Sequence, residues 1–261
     1  MSGLFDLSGA RAIITGSSRG IGRAIAERMA EAGARVTISS RKADACAAVA
    51  DSINQRHGEE RALAIPANIS DRASLERLVA TVNERWGGAD ILVCNAATNP
   101  YYGPMAGISD EQFRKIFDNN VLASHWLISM VAPQMRERRT GSIVIVSSIG
   151  GLSGSAAIGA YNISKAADMQ LARNLAVEFG KDNVRVNCIA PGLVKTDFAR
   201  ALWEDQTLRK GYEALTPLGR IGEPDEIAGV AIFLASAAGS FVTGQTIVAD
   251  GGVTIGGVLG A

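Results

Sequence analysis

The sequence predicts an α/β fold, with one doubly wound, seven-stranded parallel sheet and helices on both of its faces. Short apolar and β-branched runs alternate with longer helical segments along the 261 residues. These runs lack in/out alternation, which is typical of strands buried on both faces. The composition, 47% hydrophobic but only 5% aromatic with 29 glycines, suits helices packed closely on such a sheet. We therefore treat residues 1–261 as one domain.

The elements follow one another in a regular order. The predicted strands are 11–15, 35–39, 62–66, 90–94, 142–147, 184–189 and 245–250. The predicted helices are 21–32, 42–57, 71–86, 109–138, 161–180 and 224–236. One irregular region of about 195–220 remains, and it carries the aromatics Phe198, Trp203 and Tyr212. A long loop of this kind in a compact domain is typical of a lid, so we predict a substrate lid here.

Charge and composition limit the classes of partner. Basic and acidic residues balance at 26 each, which argues against nucleic acid or an acidic membrane. The three cysteines have no metal-ligand spacing, and we expect reduced thiols and no metal site. We see no secretory signal at the N-terminus, no apolar stretch long enough to span a bilayer and no peroxisomal tripeptide in the terminal "GGVLGA". These features predict a soluble cytoplasmic protein with a small-molecule substrate.

A glycine-rich turn, "TGSSRGIG" (15–22), follows the first predicted strand and opens the first helix. A strand, such a turn and a helix N-terminus aim backbone N–H groups and a helix dipole at a pyrophosphate. The spacing is G-x-x-x-G-x-G rather than the common G-x-G-x-x-G. A purely structural turn is the alternative, but we predict a dinucleotide site.

The end of the second strand indicates which dinucleotide binds. An acid at this position would hold a ribose 2′-hydroxyl, whereas a cation accommodates a 2′-phosphate. Ser40, Arg41 and Lys42 stand here, and Arg19 of the glycine turn is expected to face the same ribose. Guanidinium forks match phosphate geometry. A solvated loop cation is the alternative for Arg41; we predict NADP(H), with NAD(H) second.

A tyrosine and a lysine four residues apart, Tyr161 and Lys165, lie on one face of a predicted helix. A nearby ammonium favours the phenolate form of tyrosine, so the pair is suited to proton transfer. The pair alone is weak evidence, because this spacing arises by chance in roughly one such chain in ten. Its weight depends on the other motifs.

Several motifs, in order and over nearly the whole length, make the chain resemble the short-chain dehydrogenase/reductases, which have a Rossmann-like domain. These motifs are "TGSSRGIG", "NAAT" (95–98), "NNV" (119–121), "YNISK" (161–165) and "PGLVKT" (191–196). The stretches "NAATNPYYG" and "PGLVKTDFARALW" look most like NADP-dependent carbonyl and retinal reductases of the peroxisomal type. Ala97 departs from the family's usual glycine, and Asn68 stands where many relatives have aspartate.

The resemblance implies roles for matching positions. The catalytic residues would be Asn120, Ser148, Tyr161 and Lys165. The cofactor-binding residues would be Gly16, Ser18, Arg19, Gly20, Ile21, Gly22, Ser40, Arg41, Asn68, Ile69, Asn95, Ala96, Tyr161, Lys165, Pro191, Gly192, Val194 and Thr196. The substrate would meet Ser148, Tyr161, Leu193, Phe198 and Trp203. Tyr161 would be the proton donor, Lys165 would hold the nicotinamide ribose, and Asn120 would fix a relay water. Relatives of this kind are usually homotetramers.

The predicted function is NADPH-dependent reduction of ketones, aldehydes or dicarbonyls. One alternative is reduction of a 3-oxoacyl thioester on a carrier protein; Arg139 matches one arginine position of such reductases, but Asp182 occupies the other. An NAD-dependent secondary-alcohol dehydrogenase and a non-catalytic NADP(H) sensor are further alternatives. His57 and His125 have no partner at ligand or triad spacing, and no G-x-S-x-G surrounds Ser148, which argues against a hydrolase.

Overall fold

Seven parallel strands form the centre of the protein in the computed structural model, which describes residues 3–256. They are β1 Arg11–Ile14, β2 Arg35–Ile38, β3 Ala62–Ala64, β4 Ile91–Cys94, β5 Gly141–Val146, β6 Val184–Pro191 and β7 Thr246–Ala249. The order across the sheet is β3-β2-β1-β4-β5-β6-β7. The predicted parallel sheet is confirmed. Residues 1–2 and 257–261, which include most of "GGVLGA", lie outside the described residues.

Helices cover both faces of this sheet, as predicted. They are α1 Gly20–Glu31, α2 Ala43–His57, α3 Arg72–Trp86, α4 Asp110–Phe117, α5 Ala123–Arg138, α6 Gly159–Phe179, α7 Arg200–Trp203, α8 Gln206–Leu215 and α9 Pro224–Ala235. One buried cluster joins the sheet to α3, α5 and α6. A second cluster joins the opposite face to α1, α2 and α9. The strands are buried between these two layers because side chains on both faces meet apolar helices.

A π-turn at Asp118–Leu122 lies inside the predicted helix 109–138 and separates α4 from α5. The segment is helical as predicted, but the sequence did not indicate the π-turn. The turn holds Asn119 and Asn120, both buried. A π-turn contains one residue more than an α-turn and leaves part of the regular hydrogen-bond ladder open, which is why such turns often lie at functional sites. The polar pair inside the helix turns towards the sheet edge.

The sequence predicted an irregular region at 195–220, but part of this region is helical in the structure. It contains a 3₁₀ turn and the helices α7 and α8, and the Asp205 side chain caps α8 by accepting from Thr207 N and Leu208 N at 2.8 and 3.0 Å. The Tyr212 hydroxyl oxygen accepts a hydrogen bond from Leu193 N at 2.7 Å. This bond ties α8 to the loop after β6.

The strand order brings the sequence motifs together. Strands β1, β4, β5 and β6 are neighbours in the sheet. The glycine turn, Asn95, Ser148 and the loop after Pro191 each follow the carboxyl end of one of these strands. Because parallel strands end at the same edge, the motifs share one crevice, which is where doubly wound sheets bind ligands.

A buried serine within the glycine turn, Ser17, joins the ends of the first two strands. The Ser17 hydroxyl donates to Ile14 O at 2.7 Å and accepts from Ser39 N at 2.8 Å. Ser17 is fully buried, so no water can replace these bonds. The side chain therefore fixes the turn relative to β2.

We expect Ser17→Ala to lower the free energy of unfolding by about 1–3 kcal/mol, because it leaves the buried Ser39 N–H without its acceptor. Urea denaturation followed by circular dichroism measures this change. The control is Ser153→Ala, at an exposed position, with an expected change within about 0.5 kcal/mol. Equal effects of the two substitutions would contradict the prediction.

Candidate active site

The glycine turn is closely packed from below. Gly16 and Gly20 have φ angles of 67° and 56°, in the region that favours glycine. A Cβ on Gly16 would lie 2.8 Å from the Asn95 amide nitrogen, and one on Gly22 would collide with the Gly16 carbonyl. Glycine is therefore required at Gly16 by both contact and conformation, and at Gly22 by contact.

The N-terminus of α1 has free backbone donors. The helix begins at Gly20, and within residues 3–256 no side chain caps it. The first N–H groups of a helix have no partner inside the helix, and the dipole favours an anion beside them. The Thr196 methyl group would be 3.3 Å from a Cβ on Gly20, so the loop after β6 faces this turn. The glycine cradle and the free donors fit a dinucleotide pyrophosphate.

Thr15 joins the glycine turn to the segment after β4, a role that sequence reasoning missed. Its hydroxyl accepts hydrogen bonds from Asn95 N at 3.0 Å and Ala96 N at 3.1 Å. The Asn95 side-chain amide donates to Thr15 O at 2.9 Å. Asn95, predicted to bind cofactor, thus holds the cradle through its side chain. The threonine hydroxyl directly after β1 was the sequence feature that could have indicated the role of Thr15.

The two predicted cations of the ribose end differ in their surroundings. Arg41 is exposed, next to Ser40, and makes no ion pair with the part of the chain that the structure describes. The Arg19 guanidinium instead lies 3.4 Å from the Asp197 carboxylate, in an exposed ion pair with the region 195–220. Such pairs contribute little, typically below about 1 kcal/mol. Arg19 therefore has a partner that the sequence did not indicate, and its convergence with Arg41 on one ribose stays a prediction.

Asn68 follows β3 and is one of the residues predicted to bind the cofactor. Its side-chain oxygen accepts from Ser70 N at 3.2 Å, and its backbone N–H donates to the Ser74 hydroxyl at 3.1 Å. Asn68 therefore shapes the turn before α3, and one lone pair of its amide oxygen remains for an external donor. Ile69 packs on the core beneath it.

Tyr161 and Lys165 lie one helical turn apart on α6, as predicted. The Lys165 Nζ is 5.6 Å from the centroid of the Tyr161 ring. It donates to Val146 O, at the end of β5, and to the Asp168 carboxylate, each at 3.0 Å. Both members of this ion pair are buried. Asp168 is not among the residues predicted from the sequence; a carboxylate three residues after Lys165 on the same helix was the available signal.

The electrostatics of this group differ from the expectation. Burial raises the pKa of Tyr161; Lys165 opposes this, Asp168 adds to it, and hydrogen bonding with Ser148 also opposes it. Lys165 thus acts on Tyr161 in the expected direction, but burial outweighs it and the net pKa of Tyr161 is raised. Burial acts to lower the pKa of Lys165, but Asp168 and Tyr161 more than offset this, and the pKa lies above its ordinary value.

Asn120 connects three segments of the site. Its side chain accepts from Thr98 N at 2.8 Å and donates to Thr98 O at 3.1 Å and to the Ser164 hydroxyl at 3.0 Å. Ser164 in turn donates to the Tyr161 carbonyl oxygen at 2.7 Å. Both N–H groups of the amide are therefore used inside the protein, and only a second lone pair of its oxygen remains for a water.

Ser148 follows β5 and faces the same crevice. Its hydroxyl accepts from Gly150 N at 3.1 Å, and the residue is partly buried. This contact fixes the side-chain oxygen while its own hydrogen stays available as a donor. The neighbouring Ser147 is directed inwards and donates to Lys165 O at 2.7 Å.

Of the predicted substrate residues after β6, Phe198 lies near Tyr161, with ring centroids 6.1 Å apart. Trp203 donates from Nε1 to Thr196 O at 2.7 Å, so it supports the loop. Leu193 is held by the Tyr212 hydroxyl. Phe198 has 58% of its surface exposed, so its ring is accessible beside Tyr161.

Comparison with known proteins gives the family. The model described as enoyl-(acyl carrier protein) reductase matches residues 16–254. Dehydrogenase/reductase SDR family member 4 of Bos taurus is 44% identical over 242 residues, which cover 92% of this chain and 86% of the relative. The Homo sapiens protein of the same name is 41% identical with the same coverage. The chain belongs to the short-chain dehydrogenase/reductase family.

Solved structures of similar dehydrogenases support the same family assignment. A gluconate 5-dehydrogenase from Burkholderia cenocepacia, in complex with NADP and tartrate, has a TM-score of 0.92, 32% identity and coverage of 97% and 98% of the two chains. A 7α-hydroxysteroid dehydrogenase with NADH and 7-oxo glycochenodeoxycholic acid has a TM-score of 0.91, 36% identity and coverage of 95% and 96%. One neighbour thus carries NADP and the other NADH.

The predicted family is confirmed, and the likeness to member 4 fits the predicted subgroup. As a short-chain dehydrogenase/reductase, the chain is an oxidoreductase acting on the CH–OH or C=O group. Among residues 3–256, no helix is long and apolar enough to cross a membrane. Within the same residues, no three His, Cys, Asp or Glu side chains are grouped to hold a metal ion.

We expect Gly22→Ala to weaken dinucleotide binding at least tenfold, because the new Cβ displaces the Gly16 carbonyl and distorts the cradle. The control is Gly211→Ala in α8, where a Cβ would meet nothing within 4 Å. Quenching of tryptophan fluorescence by added nucleotide measures both dissociation constants. Unchanged binding in Gly22→Ala would show that the dinucleotide does not bind in this turn.

Proposed function

We propose that the protein is an NADP(H)-dependent carbonyl reductase, which converts a ketone, aldehyde or dicarbonyl to an alcohol. The observation that carries the proposal is the convergence of Ser148, Tyr161 and Lys165 at the sheet edge beside the glycine cradle. Three groups that can donate to an oxygen thus lie next to a site that fits a dinucleotide. A dinucleotide bound there supplies the hydride that reaches the carbonyl carbon.

The chain's residues supply the proton and the orientation. Ser148 donates a hydrogen bond to the substrate oxygen and stabilises charge that develops on it. Tyr161 donates its phenolic proton to the same oxygen. Lys165, held by Val146 and Asp168, stabilises the resulting phenolate, because an ammonium favours the ionised form of a neighbouring phenol. Asn120 keeps α6 and the segment after β4 in register through Ser164 and Thr98.

The preference for NADP(H) rests on Arg41. It is exposed at the end of β2, and no carboxylate among the described residues is paired with it. A guanidinium at this place accommodates a 2′-phosphate, whereas no acid stands here to hold a 2′-hydroxyl. Arg19 can join it by leaving Asp197, since their exposed pair is weak.

The carrier-protein alternative is less well supported. Arg139 donates to Lys181 O at 2.8 Å and lies 3.9 Å from Asp182, and Asp182 also accepts from Arg136 at 2.6 Å. Asp182 therefore stands at the second arginine position and is itself paired with Arg136, so one of the two cations of such reductases is missing. The panel described below includes an acetoacetyl thioester and an enoyl thioester, and turnover confined to either would favour a thioester reductase.

We also propose a homotetramer that acts in the cytoplasm. Helix α6 exposes Ile163 and Val177, which are 47% and 85% accessible and suit burial between subunits. The described cysteines, Cys46, Cys94 and Cys188, are free and buried, as suits a reducing compartment. A monomer by sedimentation analysis, or a tagged chain found in an organelle fraction, would contradict the respective statement.

We expect Tyr161→Phe to lower kcat by at least about a hundredfold, because it removes the proton donor but keeps the ring. NADPH oxidation over a panel of ketones, aldehydes, dicarbonyls and the two thioesters measures this. Tyr102→Phe, at an exposed tyrosine, is the matched control and should retain activity. A kcat of Tyr161→Phe within threefold of that of the unchanged protein would exclude Tyr161 as the acid.

We expect Arg41→Ala to raise the KM for NADPH about tenfold and to leave the KM for NADH unchanged, since only the 2′-phosphate loses a charged hydrogen bond. Arg85→Ala, at the far end of α3, removes an exposed arginine that pairs with Glu60 and serves as the control. If the KM values for NADPH and NADH changed equally, or if neither changed, the preference for NADP(H) would depend on residues other than Arg41.

A further inference from the structure

Asp168 is a buried carboxylate that the proposed chemistry does not by itself require. It lies on α6, three residues after Lys165, and is fully buried. Its Oδ2 accepts from Lys165 Nζ at 3.0 Å. Its Oδ1 is also buried and has no hydrogen-bond partner among residues 3–256. Only half of the carboxylate is therefore satisfied, and that half contacts Lys165.

Packing does not account for a carboxylate at this position. The neighbouring inward positions on α6, Met169, Ala172 and Ala176, are buried and apolar. A buried carboxylate oxygen without a partner destabilises the folded state, and such atoms are uncommon in native proteins. An apolar residue would fill the same space without that cost. The reason for Asp168 is thus sought in what it does to Lys165.

The contact fixes where the Lys165 ammonium can point. Of its three N–H donors, one goes to Asp168 and one to Val146 O. One donor remains for groups on the Tyr161 side. The carboxylate also places a negative charge next to the ammonium, and this offsets part of the positive field that Lys165 exerts on Tyr161.

We propose that Asp168 is a positioning residue for the Tyr161–Lys165 pair: it orients the Lys165 ammonium and balances its charge, and so places the pH dependence of proton transfer at higher pH. Its role in catalysis rests on the proposed function, whereas its action on the Tyr161 phenol does not. Asp168 acts through Lys165 and touches neither substrate nor cofactor in this scheme.

The groups that face Asp168 come from three elements. On α6 they are Lys165 and Tyr161; on β6 the Cys188 thiol donates to the Asp168 backbone oxygen at 3.3 Å; on β4 Cys94 lies near Cys188. Burial raises the pKa of Cys188, and it raises that of Cys94 to about 12, so both thiols stay neutral at working pH. Lys165 and Asp168 are then the charges that act on Tyr161.

The sign of the effect follows from these charges. Asp168 raises the pKa of Tyr161, so a neutral residue in its place lowers that pKa. Carbonyl reduction needs the protonated phenol. In the variant, the decline of reduction activity towards high pH would therefore begin at a lower pH. Alcohol oxidation needs the phenolate, and it would begin at lower pH as well.

The test compares Asp168→Asn with the unchanged protein by two measurements. The pH profile of kcat/KM should shift down by roughly one pH unit, as expected for the loss of one neighbouring charge. Ultraviolet difference absorbance of tyrosinate, with Tyr161→Phe as the blank, should show the same shift for Tyr161 and needs no turnover. Asp90→Asn is the control, because it removes a partly buried ion-paired carboxylate at the opposite end of β4.

The outcomes are separable. A shifted Tyr161 titration in a protein without carbonyl activity would support the proposal for Asp168 and contradict the proposed function. Activity with an unmoved profile and titration in Asp168→Asn would overturn the proposal. Asp168→Ser, whose hydroxyl can still accept from Lys165, replaces the asparagine variant if that one does not fold. If neither folds, the carboxylate is a requirement of the core and the proposal is wrong.

Discussion

A lysine ammonium, buried between a carboxylate and a carbonyl oxygen, holds the Tyr161 end of α6 against the sheet. Lys165 bonds Val146 O at the end of β5 and Asp168 on its own helix. Removing an ion from water costs several kcal/mol, and breaking one partner of a buried pair typically costs about 3–5 kcal/mol. The pair therefore constrains the register of α6 against β5, and with it the distance from Tyr161 to the rest of the crevice.

The π-turn adds a second constraint on the same helix. Asn120 turns inward there and bonds both backbone groups of Thr98 as well as the Ser164 hydroxyl. The segment after β4, the π-turn between α4 and α5, and α6 thus share one polar network. Such a network is stable only when nearly all of its members are satisfied, and Asn120 meets this condition. The site is held by the scaffold, while the region 195–220 contributes contacts from an exposed segment.

The nucleotide edge is built on different physics. Backbone N–H groups and the dipole of α1 favour an anion at this edge. Thr15 and Asn95 brace the turn from below, and Gly16 and Gly22 leave no room for a Cβ. The predicted cations, Arg19 and Arg41, belong to the ribose end of the site.

Much of this protein follows from local sequence. The strand and helix periodicities, the glycine turn and the spacing of Tyr161 and Lys165 predicted the sheet, its helical layers and the position of the candidate site. The tertiary structure alone decided the π-turn, the partners of Asn120, the ion pair of Arg19 with Asp197 and the half-satisfied Asp168. The reason is physical: periodicity records which face of an element is buried, whereas a hydrogen bond or a pKa depends on groups that only folding brings together, such as Arg19 and Asp197, 178 residues apart.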